Sequence, residues 1–317
     1  MSKESIRQFV LDHAWTRELF FLFGKRKADL ARIDRALAAG ELRPADEKAD
    51  NVIVSLTSYG ERIRQLKYTL HSLVSQSVRP ERMIVNIARE DETFLTDEVR
   101  SFGRYGVEFF FCRDIRSYKK LLPTLERFPS ACIVTADDDI CYEKDWLKRF
   151  CETHAAHPDD VLGHLVYKIA HGDGKIAPYA AWKRNYRASP GGRGIFVVGA
   201  KGAFYPPGVF HRDIFREDLY RQLSPWGDDL WFYFMTVFNG KTIRQVARPL
   251  SHQCFVDPYR EYGISGERTL TQQNVGQNMN DIQLKNILRH YGIAESAFAA
   301  YVAGETDSPL PPSRPTA

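Results

Sequence analysis

The chain has 317 residues, with 44 basic and 40 acidic side chains and a net charge of +4. This length, together with a hydrophobic fraction of 44%, predicts one large folded domain with appendages. Such an even charge balance excludes a nucleic-acid-binding protein that relies on counterion release. The five cysteines are odd in number and lack CxxC spacing, and no apolar run approaches about eighteen residues, so we expect a cytoplasmic protein.

Residues 1–48 carry apolar side chains at helical spacing and predict a helical N-terminal appendage, with a break at the basic run Lys25-Arg26-Lys27. The aromatic cluster that begins at Trp15, beside these basic residues, is typical of a helix lying on an anionic bilayer. Peripheral contact with the inner face of the cytoplasmic membrane is therefore one interpretation. Packing against the main domain or against a second subunit is the other, and both stay open.

Apolar strands alternate with amphipathic helices over residues 49–260, and this alternation predicts an α/β fold, a mostly parallel sheet with helices on both faces. The first four strands are predicted at 52–56, 83–87, 107–111 and 133–136. A fifth strand is predicted at 162–169. We expect a helical extension over residues 261–303 and a disordered, proline-rich tail over residues 304–317.

Three consecutive carboxylates, Asp137, Asp138 and Asp139, follow the fourth strand. Adjacent acids repel one another, and Mg²⁺ or Mn²⁺, often bound together with a diphosphate, is the usual partner of such a cluster. The alternative is that Asp138 or Asp139 caps a helix whose first turn contains Tyr142. Capping explains one acid but not three, which favours the metal site. The chain contains neither GxGxxG after the first strand nor a P-loop motif, so a nucleotide would have to bind in another way.

A set of short motifs follows in order along residues 51–246. They are Thr57-Ser58-Tyr59 with Arg62, Ser72-Leu73-x-x-Gln76, Ser117-Tyr118-Lys119-Lys120, Asp137-Asp138-Asp139, Gly202-Ala203-x-Tyr205 and Asp228-Asp229. This ordered set resembles the nucleotide-sugar glycosyltransferases of the GT-A fold, especially family 2-like enzymes of bacterial capsule and lipopolysaccharide biosynthesis. The last motif departs from the family, which has Glu-Asp where this chain has Asp-Asp.

The resemblance implies a Rossmann-like GT-A domain that transfers a hexosyl group from a nucleoside diphosphate sugar, UDP-linked in our interpretation, to a glycan or lipid-linked saccharide, with inversion favoured. It also implies a donor site made of residues that follow the first and third strands. Those residues are Thr57, Ser58, Tyr59 and Arg62 for the nucleoside and a phosphate, and Lys119 and Lys120 for the diphosphate. One of the two lysines is expected to neutralise the diphosphate and the other to face solvent, and an ordinary solvated Arg62 is an equal alternative.

By the same resemblance, Asp139 binds Mn²⁺ or Mg²⁺, while Asp137 holds the ribose or assists the metal, and Asp138 belongs to the same cluster. Asp229 is expected to act as the general base, with Asp228 as its partner, although a helix cap is the alternative for this pair. His252 is a candidate third metal ligand, because some retaining relatives have a late histidine. A buried or solvated histidine is the alternative, and metal binding by His252 would weaken the assignment of inversion.

Two other functions stay open. A sugar nucleotidyltransferase would share the sheet and the acids, but it ordinarily has a glycine-rich, basic loop where this chain has Thr57-Ser58-Tyr59-Gly60. A non-catalytic glycan-binding or scaffold protein of envelope polysaccharide assembly would use Trp226 and the N-terminal helices for contacts. Of the four aromatic residues considered as sugar platforms, only Trp226 is favoured, and we expect Trp182, Trp231 and Tyr233 in the core.

Overall fold

The computed structural model describes residues 14–185, 191–250, 254–257, 278–306 and 310. The strands are β1 Lys48–Ser58, β2 Arg79–Ala88, β3 Val107–Cys112, β4 Cys132–Ala136, β5 Ile140–Cys141, β6 Val161–Gly163, β7 Val166–Lys168, β8 His171–Gly172, β9 Lys175–Ile176, β10 Lys183–Asn185, β11 Ile195–Val197, β12 Ala203–Tyr205, β13 Ile243–Gln245 and β14 Cys254–Phe255. The α-helices are α1 Ala14–Ala38, α2 Leu66–Val74, α3 Asp97–Arg100, α4 Leu122–Arg127, α5 Trp146–Ala156, α6 Glu217–Leu223, α7 Asp228–Phe238, α8 Met279–His290 and α9 Glu295–Ala303.

The central sheet has seven strands in the order β13-β6-β12-β4-β1-β2-β3. Strands β1 to β4 pair in parallel, β13 pairs in parallel with β6, and β12 runs antiparallel to both of its neighbours. The predicted α/β class with a mostly parallel sheet is therefore confirmed. In a sheet of this kind, ligands bind beyond the carboxyl ends of the parallel strands.

Helices cover both faces of the sheet, which explains why β4 is an uninterrupted apolar run rather than an alternating one. All five residues of β4 are buried. Ile133 packs into the core beneath α7 and α8, whereas Val134 packs into the core beneath α2 and α5. The strand that carries the acidic triplet is thus fixed from both sides.

Three predicted elements differ from the structure. Helix α1 continues through Lys25-Arg26-Lys27 without a break. The helix after the acidic triplet begins at Trp146, beyond the short strand β5, so capping by Asp138 or Asp139 is wrong. The single strand predicted at 162–169 is two strands, β6 and β7, which belong to different sheets. None of the described helices is long and apolar enough to cross a membrane.

Candidate active site

The middle aspartate of the triplet points into the protein rather than into a cleft. Ser58 Oγ donates to Asp138 Oδ2 at 2.5 Å, and Arg62 Nε donates to the same oxygen at 3.0 Å. Arg62 Nη2 also contacts Asp138 Oδ1, which completes a bidentate pair. The hydroxyl of Thr69 donates to the backbone oxygen of Asp138 at 2.8 Å. Asp138 therefore fastens the end of β4 to the end of β1.

The outer two aspartates keep part of their surface, since the side chains of Asp137 and Asp139 are 28% and 27% exposed. Burial raises the pKa of Asp137 to about 6, with repulsion from neighbouring carboxylates acting in the same direction and Lys120 opposing it. Burial and then the charge of Asp138 raise the pKa of Asp139 to about 6, against the effect of Arg62, whose Nη2 lies 2.7 Å from Asp139 Oδ2. Both groups are ionised near neutral pH at a cost in free energy.

Lys120 joins the two acidic elements that the sequence singles out. Its Nζ lies 2.9 Å from Asp228 Oδ2, 3.6 Å from Asp137 Oδ1 and 3.8 Å from Asp229 Oδ1. Burial acts to lower the pKa of Lys120, but the three carboxylates raise it well above its ordinary value. The side chain is therefore a permanent cation between the end of β4 and the start of α7. The two acidic elements belong to one site.

Asp229 is placed by the first turn of α7 and by a close approach of Gly199. The backbone N–H of Gly199 donates to Asp229 Oδ2 at 2.9 Å. A Cβ at position 199 would lie 2.6 Å from Asp229 Oδ1 and 2.9 Å from Lys120 Nζ, so any other residue there would displace these side chains. Burial and then the charge of Asp228 raise the pKa of Asp229 to about 6. Asp229 is the more exposed of the pair, at 25% against 10% for Asp228.

The motif Ser72-Leu73-x-x-Gln76 supports the chain that leaves the acidic triplet. Ser72 Oγ accepts from the backbone N–H of Tyr142 at 3.0 Å. Gln76 Nε2 donates to Glu143 O at 2.9 Å, and its Oε1 accepts from Leu147 N at 3.1 Å. The hydroxyl of Tyr142 in turn accepts from the backbone N–H of Asp137 at 2.8 Å. This motif is structural, and its partners hold Asp137 in place.

Gly202 of the Gly202-Ala203-x-Tyr205 element is also required by geometry. Its φ is +91°, a conformation that residues with a Cβ rarely adopt. A Cβ there would lie 2.7 Å from the ring of Trp146. The glycine thus lets β12 begin directly above the first turn of α5.

Helix α8 contributes two polar side chains whose role the sequence did not reveal. Asp281 Oδ1 accepts from the backbone N–H of Tyr179 at 2.8 Å, and Gln283 Oε1 accepts from the backbone N–H of Trp226 at 2.8 Å. Gln283 is fully buried. Through Trp226 it fixes the turn that precedes Asp228 and Asp229. In the sequence, the polar residues Asn280, Asp281 and Gln283 near the start of α8 are the local signal for this support.

The residues predicted to hold the nucleoside divide into two groups. Ser58 is fully buried on Asp138, and the hydroxyl of Thr57 donates to Asn86 O at 2.7 Å, so both support the strand ends. Tyr59 is 48% exposed, and the guanidinium of Arg62 lies 5.3 Å from its ring centroid. Of the three residues at the end of β1, Tyr59 is the one with a side chain open to a ligand.

The two lysines after β3 also differ from each other. Both are buried, so the prediction that one of them faces solvent is wrong, and Lys119 is paired with Asp114. Lys120 alone reaches the acidic site. Trp182, Trp231 and Tyr233 are buried, which confirms their predicted place in the core, while Trp226 is half-buried beside Asp228. His252 lies outside the described residues.

Asp137 and Asp139 are the two carboxylates of the triplet that keep exposed surface, so they are the candidates for binding a divalent cation. Across the described part of the chain, no group of three or more His, Cys, Asp or Glu residues is arranged to hold a metal. Mg²⁺, however, commonly binds proteins through one or two carboxylates and completes its shell with water and substrate phosphates. Asp137 and Asp139 are partly exposed, and their negative charges are unfavourable without a cation. These properties are compatible with a divalent cation that binds together with a diphosphate.

Comparisons with known proteins give only distant likenesses. No family model matches the chain, and no curated protein matches it. Among solved structures, S. aureus TarS 1-349 is 14% identical, with coverage of 81% of this chain and 73% of that chain and a TM-score of 0.42. The 4-diphosphocytidyl-2C-methyl-D-erythritol synthase of Anaerococcus prevotii is 13% identical, with coverage of 73% and 96% and a TM-score of 0.42. Likenesses at this level do not bear on the reaction.

Proposed function

We propose that this protein is a metal-dependent glycosyltransferase that moves a hexosyl group from a nucleoside diphosphate sugar, UDP-linked, to a saccharide acceptor. The observation that supports the proposal is the position of Lys120, whose ammonium lies between Asp137 and the pair Asp228 and Asp229. A cation flanked by two separate carboxylate elements suits a reaction in which negative charge builds on one side and a proton leaves on the other. The resemblance in motif order points to the same chemistry.

The donor side would be formed by Asp137, Asp139 and Tyr59. Asp137 and Asp139 would hold Mn²⁺ or Mg²⁺, which when bound neutralises the charge of the departing nucleoside diphosphate. Lys120 contributes a second, permanent positive charge next to Asp137. Tyr59 offers an exposed ring at the end of β1, where a base can stack. The guanidinium of Arg62 binds the carboxylates of Asp138 and Asp139, so we assign Arg62 to positioning the triplet rather than to binding a phosphate.

Asp229 is the group that would take the proton from the acceptor hydroxyl. A carboxylate with a pKa of about 6 is ionised at neutral pH and is a stronger base than an ordinary aspartate. As the proton moves to Asp229, the acceptor oxygen forms a bond to the anomeric carbon and the bond from that carbon to the diphosphate oxygen breaks. Attack from the side opposite the diphosphate inverts the configuration. Asp228 is more buried and lies closest to Lys120, so we assign it to holding that side chain.

The test is release of UDP from a panel of UDP-sugars in the presence and absence of Mn²⁺. Wild type should release UDP only with the metal, and Asp139→Ala should lose most of this activity. Asp159→Ala is a matched control, because Asp159 is 84% exposed and pairs with Lys241 away from the site. It should behave as wild type.

The same assay separates the alternatives. Activity that is independent of Mn²⁺ and unchanged in Asp139→Ala would contradict the proposal, and absence of turnover with every sugar and acceptor would favour a binding or scaffold role. Release of pyrophosphate from a nucleoside triphosphate and a sugar phosphate would identify a nucleotidyltransferase. Asp229→Asn should still bind the donor with Mn²⁺ in a thermal-shift experiment but should lose transfer.

A further inference from the structure

A small cavity lies beside the turn that precedes Asp228 and Asp229. It has a volume of about 100 Å³ and is lined by Ile115, Arg116, Tyr118, Tyr220, Arg221 and Pro225. One wall comes from the segment that ends in Lys120, and the other comes from α6 and the turn that enters α7. The cavity therefore adjoins the segment that carries Lys120 and the turn that leads to Asp228 and Asp229.

Arg116 adopts a backbone conformation that is unusual for a residue with a side chain. Its φ is +56°, in the left-handed region. The carboxylate of Asp114 accepts from the backbone N–H of Arg116 at 2.9 Å and stabilises this conformation. Glycine or asparagine would adopt it at lower cost in free energy. Backbone strain of this kind concentrates at functional sites, which indicates that the arginine side chain has a use.

The guanidinium of Arg116 is held in one orientation. It lies 3.8 Å from the centroid of the Trp226 ring, and its Nη1 donates to Pro225 O at 3.2 Å. Stacking on an aromatic ring leaves the edge of a guanidinium open to a ligand, because its N–H groups lie in the plane of the group. Trp226, which the sequence predicts as a surface for a sugar, therefore supports Arg116 here.

The lining of the cavity has positive and no negative charge, since Arg116 and Arg221 are its only ionised side chains at neutral pH. Arg221 pairs with Glu217, which Arg113 also contacts. Arg116 has no carboxylate partner among the described residues. An excess of fixed positive charge around a small cavity favours an anion.

We propose that this cavity binds an anionic substituent, a phosphate or a carboxylate, carried by the acceptor saccharide. The assignment to the acceptor rests on the proposed function, because the cavity adjoins the turn before Asp229 and not the ends of β1 and β4, where the donor would bind. Bidentate donation by Arg116 and a contact from Arg221 would fix the acceptor at a set distance from Asp229. The protein would then prefer acidic glycans.

The test uses inorganic phosphate as the probe, titrated into the protein without metal or donor and followed by isothermal calorimetry. Arg116→Gln and Arg221→Gln should each weaken phosphate binding about tenfold, since each removes a charge-assisted hydrogen bond. Arg104→Gln is the matched control, because Arg104 is also exposed and also stacks on an aromatic ring, at 5.3 Å from the centroid of Tyr105. It should bind as wild type does. Equal phosphate affinity in all four proteins would overturn the proposal.

Two further measurements are needed. One distinguishes loss of phosphate binding from loss of folding, and the other tests whether the cavity belongs to the acceptor or to the donor. Arg116→Gly removes the side chain but suits the left-handed backbone, so it should unfold no earlier than Arg116→Gln and still lose phosphate binding. Saturating UDP with Mn²⁺ should leave phosphate binding unchanged, whereas competition would assign the cavity to the donor and overturn the acceptor assignment. These measurements need no turnover. Loss of the proposed transferase activity and loss of the anion site would therefore be recorded independently.

Discussion

Replacement of Lys120 by methionine is the most informative perturbation of the site. At an effective dielectric constant of about 20, an ammonium and a carboxylate at these separations attract by about 4 to 6 kcal/mol before desolvation is counted. Most of this is offset by burying Lys120, whose side chain is 9% exposed. Removal of one partner from a buried ionic group typically costs about 3 to 5 kcal/mol, because the remaining charges lose their compensation. We expect Lys120→Met to lose this amount of unfolding free energy at pH 8.

The loss should shrink as the pH falls. The pKa values of Asp137 and Asp229 are already raised to about 6, and removal of Lys120 raises them further. Near pH 5 the native state of the variant takes up protons that the unfolded chain, with ordinary aspartate pKa values near 3.8, does not bind. Proton uptake by the native state stabilises it, so the variant should recover part of its deficit between pH 8 and pH 5.

Urea denaturation at pH 8 and pH 5 measures both quantities, with Lys119→Met as the matched control. Lys119 is equally buried but pairs with the single carboxylate of Asp114, whose pKa lies below its ordinary value. Asp114 stays ionised over this range, so the cost of Lys119→Met should not depend on pH. Equal and pH-independent costs for the two variants would refute the view that Lys120 compensates three carboxylates at once.

Three further outcomes are expected. Asp138→Asn should lower the free energy of unfolding, measured by urea titration, by about 3 kcal/mol, because Arg62 loses its bidentate partner. A loss no larger than that of Asp139→Asn would contradict the inward role of Asp138. Gly199→Ala should reduce Mn²⁺-dependent UDP release more than about tenfold, because a Cβ would displace Asp229. Unchanged turnover would show that the reaction does not depend on this position of the Asp229 carboxylate. Gln283→Leu should lower the free energy of unfolding, measured by thermal denaturation, by about 1 to 3 kcal/mol, because the backbone N–H of Trp226 loses its acceptor. An unchanged melting temperature would show that Gln283 does not stabilise this turn.

The positions of the parallel strands and of the acids could be predicted from sequence because they follow from local pattern. Apolar runs that end in polar residues mark parallel strands, and Asp137 follows directly from the end of β4. Contacts across the fold could not be obtained in this way. Adjacent lysines after β3 look equivalent in sequence, yet Lys119 turns to Asp114 and Lys120 reaches Asp228, which is more than 100 residues away along the chain.

Because contacts across the fold are not visible in local sequence, the role of Ser58 at the end of β1 also differs from the predicted one. Ser58 was a reasonable nucleoside contact by position, but in an extended strand successive side chains point to opposite sides, and Ser58 points inward. The alternative of a helix cap at Asp138 or Asp139 is wrong because the chain forms β5 before α5 begins. Gln283 supports a turn 57 residues before it, and nothing in its local pattern distinguishes a buried acceptor from a solvated glutamine.

The inward direction of Asp138 has a consequence for how this site can evolve. Only the outer two members of the triplet offer charge to a ligand, and they can change when the ligand changes. The middle member is bound to Arg62 through both of its carboxylate oxygens, so substitutions at positions 62 and 138 should occur together among homologues. Position 137 should vary independently of them, whereas Asp139, which also contacts Arg62, should depend on them in part. A lineage that exchanged Arg62 for an uncharged residue would be expected to carry a neutral residue at position 138 while it keeps the spacing of the two outer acids.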